Sequence, residues 1–396
     1  MFRTTVDGAE AVLVVAPEGL QELFSRERGR LEVLNTPLVH DLFGQALFNL
    51  TEDHHAEARR RVRPALSSRA IPGYVDALLE VADRAAASWT GRLQPDLYAA
   101  SRHVTFAMSA RVLLGVDAED TDGRRLQAAF RRFVIATSAP SGHRRYLAAR
   151  YWAGMRTRRH LHDLVIRLAG TADSHCVGSA LPLLAERFQA APAAAGPLSD
   201  HLLALLIAAR ETTASLITWS LIELAQAPGP ARLAMIEARG AASRPERLTD
   251  PGALPMLRAV VAESLRLHSP NLLSQRRVLA PLTVCGVDIP AGTTVAYSPS
   301  AGHFDADVFS QPNDFIPERF LPGAASPARL WAFGGGLHAC LGRALAEVMA
   351  LSVLVSVLNQ GLPQLPDGPP EAVRHRPAKA PAHPVPFVVQ PDEETA

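Results

Sequence analysis

The sequence predicts a mainly α-helical protein with small β-sheets, and three observations carry that expectation. From residue 53 to about 190, apolar residues recur at three- and four-residue spacing, as Leu78, Leu79, Val81, Ala82 and Ala85 do. That is the period of one helix face. Residues 200–225 are apolar on nearly every side, the mark of a helix that runs through a protein centre. Strand character is confined to short pieces: 2–6 and 11–15 around Asp7-Gly8, and 284–298 with turn pairs Cys285-Gly286 and Ala291-Gly292. Such pairs suit tight hairpins.

The remaining elements follow in order. Pro17 opens a helix reaching about residue 26, since proline is tolerated in a first turn. Pro192 and Pro197 mark a loop, and Ser199 and Asp200 are candidate N-caps for the helix over 200–225. Ala227-Pro-Gly-Pro ends that helix, and a further helix covers 255–268. Residues 304–331 are a proline-rich meander. A glycine-rich loop at 333–336 leads into a last helix over 341–358, and 384–389 is a short strand. No repeat or long linker divides the 396 residues, so one domain over 1–396 is expected.

Composition excludes several classes. The net charge of +1 signals neither nucleic acid nor an anionic surface for the molecule as a whole. The three cysteines, Cys176, Cys285 and Cys340, form no CxxC pair, so neither a zinc ribbon nor a disulfide framework is expected. The first residues lack an apolar targeting run. The apolar stretch 202–209, stopped by Arg210 and Glu211, is too short for a bilayer. No transmembrane segment and a cytoplasmic location are the expectation. One segment departs from the even charge. Residues 123–162 hold ten arginines and no Asp or Glu. They read first as a solvated basic face, and more sharply as a docking patch for an anionic substrate, carrier protein or membrane.

The motif with the most chemistry is Phe333-Gly334-Gly-Gly336-Leu-His338-Ala-Cys340-Leu-Gly342. It resembles the ligand loop of the cytochromes P450, Phe-x-x-Gly-x-His-x-Cys-x-Gly, at all five fixed positions. The resemblance implies haem b, with the Cys340 thiolate as axial iron ligand favouring O–O cleavage. Glycines let the backbone come close and turn N–H groups toward the sulfur.

Three further segments fit the same family. Glu263-Ser-Leu-Arg266 has the form of its Glu-x-x-Arg motif, and Pro317-Glu318-Arg319-Phe320 supplies the matching second arginine. These three charged side chains are expected to form a buried structural network. Ala208-Ala209-Arg210-Glu211-Thr212-Thr213 resembles the oxygen-binding segment, with Glu211 and Thr212 as proton relay and Thr213 pointing away. Here Ala209 replaces the family's glycine, which puts rate and coupling in doubt. His55 and Arg59, spaced i, i+4, resemble the family's His-x-x-x-Arg segment. With Arg276 and His338 they are implied as donors to the haem propionates.

The resemblance spans roughly residues 2–390 and implies the cytochrome P450 fold. It also implies insertion of one oxygen atom from dioxygen into a small apolar substrate, free or carrier-bound, with a natural-product role as the family-level expectation. Without a flavin or iron–sulfur segment, electrons are expected from a ferredoxin and its ferredoxin reductase. Docking is expected near Arg59, Arg60, Arg61, Arg63 and Arg343. The alternatives are a peroxide-driven peroxygenase and a non-catalytic haem-protein recruitment module. The intact Glu211-Thr212 pair argues against both. No nucleic-acid partner is expected. Two peripheral departures are the absent lead before the first hairpin and Phe304-Asp305-Ala306 where the family has Arg-Asp-Pro.

Overall fold

The computed structural model describes residues 1–6, 9–139, 143–170, 178–189, 195–324, 330–375 and 378–391. The turn Asp7-Gly8, Cys176 and Pro192 lie outside them. Among the described residues twelve α-helices follow in chain order: α1 Pro17–Ser25, α2 Pro37–Phe43, α3 Glu52–Val62, α4 Val75–Trp89, α5 Leu97–Leu114, α6 Thr121–Ala136, α7 Ala149–Gly170, α8 Leu181–Gln189, α9 Leu198–Gln226, α10 Pro228–Ala242, α11 Pro255–Leu267 and α12 Arg343–Gln360. The strands are β1 Phe2–Val6, β2 Ala9–Val14, β3 Leu31–Val33, β4 Ser274–Val278, β5 Leu282–Val284, β6 Val287–Ile289 and β7 Thr294–Tyr297, with short β8 Gly361–Gln364, β9 Val373–Arg374, β10 Ala380–Pro381 and β11 Val388–Pro391 near the C-terminus.

The largest sheet has the order β1-β2-β7-β4-β3. β1 and β2 pair antiparallel with Phe2 opposite Leu13, and β2 runs parallel to β7. β4 was not foreseen, because Ser274-Gln-Arg-Arg-Val has almost no apolar alternation. It forms because β3 and β7 flank it, and it carries Arg276 into register with Val33 and Val295.

α9 crosses the interior, as its sequence predicts, and packs on α5, α11 and α12. With α12 it is long and apolar enough to cross a membrane by length and composition alone, which corrects the expectation from the short run 202–209. Its apolar faces are covered by protein: Leu202, Leu206, Ile217 and Leu221 are fully buried.

Several boundaries differ from the expectation. α9 begins at Leu198, so Ser199 and Asp200 lie in its first turn and cap nothing there. The Asp200 carboxylate instead accepts from the Gln45 N–H at 2.8 Å and pairs with Arg158 and His162 at 2.6 and 2.8 Å. Pro228 opens α10 directly after α9, because a first-turn N–H needs no intrahelical partner. The last helix starts at Arg343, leaving Leu341 in the loop. The final strand is 388–391, where β8 offers pairing for it.

The basic stretch is not a uniform face. Arg145 turns inward to Asp41 at 2.6 Å and Arg158 to Asp200, tying α7 and the turn before it to α2 and α9. Arg124, Arg125, Arg131, Arg132, Arg144, Arg150, Arg156 and Arg159 stay exposed.

Candidate functional site

A cavity of about 400 Å³ lies between the middle of α9 and the loop before α12. Ala208, Ala209, Thr212 and Thr213 face it from α9, and Cys340 faces it from the loop. The loop conformation is local chemistry. Gly334 and Gly336 have φ of +65° and +66°, the left-handed region that favours glycine. A Cβ on Gly336 would also collide with the Glu27 carboxylate. The Cys340 N–H donates to the Phe333 carbonyl at 2.9 Å, closing the turn.

The Cys340 side chain is exposed to the cavity, with protein packed densely around it. Burial pushes its thiol above the ordinary range. The Gly342 N–H, Arg59 and Arg343 pull the other way, as donors and cations favour thiolate. A positive ligand would complete that shift, since a coordinating thiol is deprotonated outright.

At one edge of the cavity four nitrogen-bearing side chains converge: His55 and Arg59 from α3, Arg276 from β4, and His338 from the loop. Burial lowers the His55 pKa to about 4, helped by Arg59 and Arg276. Burial lowers that of His338 to about 3, helped by His55, Arg276 and Arg59. The two guanidiniums are therefore the permanent cations of this edge. A thiol on one wall, an apolar helix on the other and two arginines at the rim fit a flat group bearing carboxylates.

On α9, Thr212 opens into the cavity and its hydroxyl donates to the Ala208 carbonyl at 2.7 Å. Thr213 also lines the cavity, contrary to the expectation that it points away, but it is almost wholly buried and its hydroxyl has no hydrogen-bond partner among the described residues. Glu211 is turned from the cavity. It accepts from the Tyr98 hydroxyl at 3.1 Å and pairs with Arg210 and, at 3.5 Å, Arg102. It is held in place, so delivering a proton from it requires releasing one of these contacts. Burial, then the Glu211 charge, pushes the Tyr98 hydroxyl upward.

Behind the site, Glu263 and Arg266 are fully buried and paired by two hydrogen bonds of 2.7 and 2.8 Å. Arg319 adds a third cationic contact to Glu263 at 3.1 Å. Arg266 also donates to the carbonyls of His303, Pro312 and Asp314. The expected structural network is present, and it anchors the meander that leads to the thiol loop.

The sequence reading missed Glu27, Tyr98 and His303. The partners of each are remote in the chain, so no spacing betrays it. Arg59, expected both as a propionate donor and near the docking face, lines the cavity. Arg60, Arg63 and Arg343 are exposed, with Arg60 and Arg343 paired to Glu57 and Glu347.

Comparison with known proteins agrees with this geometry. The family model for cytochrome P450 matches residues 197–390, from the start of α9 to β11. A Mycobacterium tuberculosis protein provisionally named cytochrome P450 139 is 27% identical over 327 residues, covering 79% of this chain and 76% of its own. Steroid 21-hydroxylase of Lynx lynx is 36% identical over 178 residues, 43% of this chain and 36% of its own. The solved structure of retinoic acid-bound cyanobacterial CYP120A1 shares the fold with a TM-score of 0.82 at 20% identity, covering 99% of this chain and 91% of that one. From its thiol loop, its central helix and these likenesses, the chain belongs to the cytochrome P450 family, the haem-thiolate monooxygenases that carry haem b.

Proposed function

We propose that residues 1–396 form a single domain that oxidises a small apolar molecule, with Cys340 as the haem ligand. Two electrons come from a separate ferredoxin and ferredoxin reductase. The observation that carries this reading is that Cys340 and Thr212 face one cavity from opposite walls, with Arg59, Arg276, His55 and His338 grouped at its rim. The haem, when bound, supplies oxygen activation. Phe333, Gly334, Gly336 and Gly342 shape the loop that presents the sulfur. The two arginines and two histidines receive the propionates. Thr212 donates a proton into the cavity, and Glu211 refills it from the Tyr98 side.

The apolar substrate class is supported by the lining, which includes Leu47, Phe48, Leu113 and Leu205. Two relatives carry apolar compounds in their names, a steroid and retinoic acid. A location in the cytoplasm and a natural-product substrate, free or carrier-bound, complete the reading.

The test is a carbon monoxide difference spectrum of the reduced protein and of Cys340→Ala. A thiolate-type band in the wild type, lost with most of the haem in the variant, is expected. The same band in Cys340→Ala would sink the assignment.

A further inference from the structure

Glu27, in the turn after α1, is 1% exposed and lies against the rim of the cavity. Its two carboxylate oxygens serve different elements. Oε1 accepts from Arg276 Nε of β4 at 3.1 Å. Oε2 accepts from the Leu337 N–H of the thiol loop at 2.7 Å. The loop has no room for a larger residue here, since a Cβ on Gly336 would collide with this carboxylate. α1 braces the same loop a second time: a Cβ on Gly335 would lie 2.5 Å from Phe24.

The Arg276 fork is thereby shared out. Nε goes to Glu27 and Nη1 to the Gln275 carbonyl at 3.0 Å. Nη2 has no partner among the described residues, while the side chain lines the cavity. A guanidinium held by two of its nitrogens presents the third in a fixed direction, because the group is planar and rigid.

We propose that Glu27 is a positioning residue of the haem site, aiming Arg276 at a propionate and pinning the turn that presents Cys340. It acts through Arg276 and Leu337 and does not touch the reacting atoms. It also places one anion beside the rim. A negative charge near the iron site favours the ferric form, so its removal should raise the reduction potential. This inference rests on the haem-thiolate reading above.

The test compares wild type with Glu27→Gln, which keeps the shape and an acceptor for Leu337 but removes the negative charge that faces Arg276. Three quantities are read: the midpoint potential by spectroelectrochemistry, the rate of haem loss to apomyoglobin, and the thiolate fraction of the carbon monoxide spectrum. An upward shift in potential and haem loss faster by on the order of tenfold, the effect of one charge-assisted hydrogen bond, are expected. The thiolate fraction should hold in Glu27→Gln and fall in Glu27→Ala, which frees Leu337 as well. Lower melting temperature with unchanged potential and haem loss would reduce Glu27 to a fold brace and overturn the proposal. If Glu27→Gln fails to fold, Glu27→Asp, still anionic but too short to span both partners, is read by haem loss and thiolate fraction alone: faster haem loss or a lower thiolate fraction is expected, and the proposal is overturned where neither changes. A wild type without a thiolate band would defeat the haem-thiolate reading itself, whereas a normal wild type beside an unchanged variant defeats only this inference.

Discussion

The imidazole rings of His55 and His338 face one another with centroids 3.9 Å apart and planes tilted by 31°. One comes from α3 and the other from the thiol loop. Burial keeps both neutral at ordinary pH, and two neutral rings can pack this closely where two imidazoliums would repel. Their contact fastens α3 to the loop and leaves Arg59 and Arg276 as the charges of the rim.

Thr212 and Thr213 separate by function. Thr212→Ala should keep haem, substrate binding and electron uptake, but divert most electrons to hydrogen peroxide. Its hydroxyl opens into the cavity, and turning it from the Ala208 carbonyl frees its proton for donation there. Thr213→Ala should be milder, because a buried hydroxyl without a partner contributes little when removed. Product formed per NAD(P)H consumed measures both. A larger loss of coupling in Thr213→Ala would identify the other alcohol as the donor.

Arg266→Ala should cost stability and not chemistry. It leaves the Glu263 carboxylate in the interior with only Arg319 and the Ile316 N–H beside it among the described residues. Breaking a buried pair in this way costs about 3–5 kcal/mol. Denaturant unfolding of the apoprotein should show that loss. An unfolding free energy within a few tenths of a kcal/mol of wild type, on the order of measurement error, would refute it.

His303 should make the fold acid-sensitive. Its ring accepts from the Trp331 N–H at 3.1 Å and sits against the Arg266 carbonyl. Burial lowers its pKa from 6.5 to about 4. The unfolded chain thus takes up a proton before the folded chain does. The stability tied to the neutral ring is present above pH 6.5 and drains as pH falls toward 4, by at most about 3 kcal/mol. His303→Gln should be less stable at pH 7 but flatter across that window. A pH slope equal to that of wild type would show that other groups carry it.

Reduction by an acidic ferredoxin should slow with salt and in Arg60→Glu. Arg60 is exposed beside Arg61 and Arg63, on the helix that carries His55. Opposite charges steer encounter, and salt screens them over about 8–10 Å at moderate ionic strength. Because Glu57 already neutralises part of the patch, the effect of one reversal should be several-fold and seen in the association rate. Rates flat across ionic strength would move the docking site elsewhere.

Much of this protein could be read from the chain because the signals are local. The thiol loop is ten consecutive residues, so its glycines and cysteine announce their own geometry. α9 and α11 carry their burial in composition, and Glu263 and Arg266 meet because i, i+3 residues share a helix face. Long-range partners left no such trace. Glu27 reads as one more charge in Arg26-Glu-Arg28, and its burial follows only when α1 packs under the loop. The same holds for Asp200, which looks like a helix cap until α2 and α7 bring it better partners. Thr213 could not be oriented from a wheel, because the cavity is wide enough to touch two neighbouring residues of α9.

By itself the sequence determined the helical class, the ligand loop, the buried ion network and the family. Each rests on neighbours a few residues apart, whose geometry the backbone period sets. The tertiary structure decided which charges became rim donors, which became braces and which stayed on the surface. Those outcomes depend on burial and on partners hundreds of residues away, and a charge's role changes with what surrounds it, not with its type.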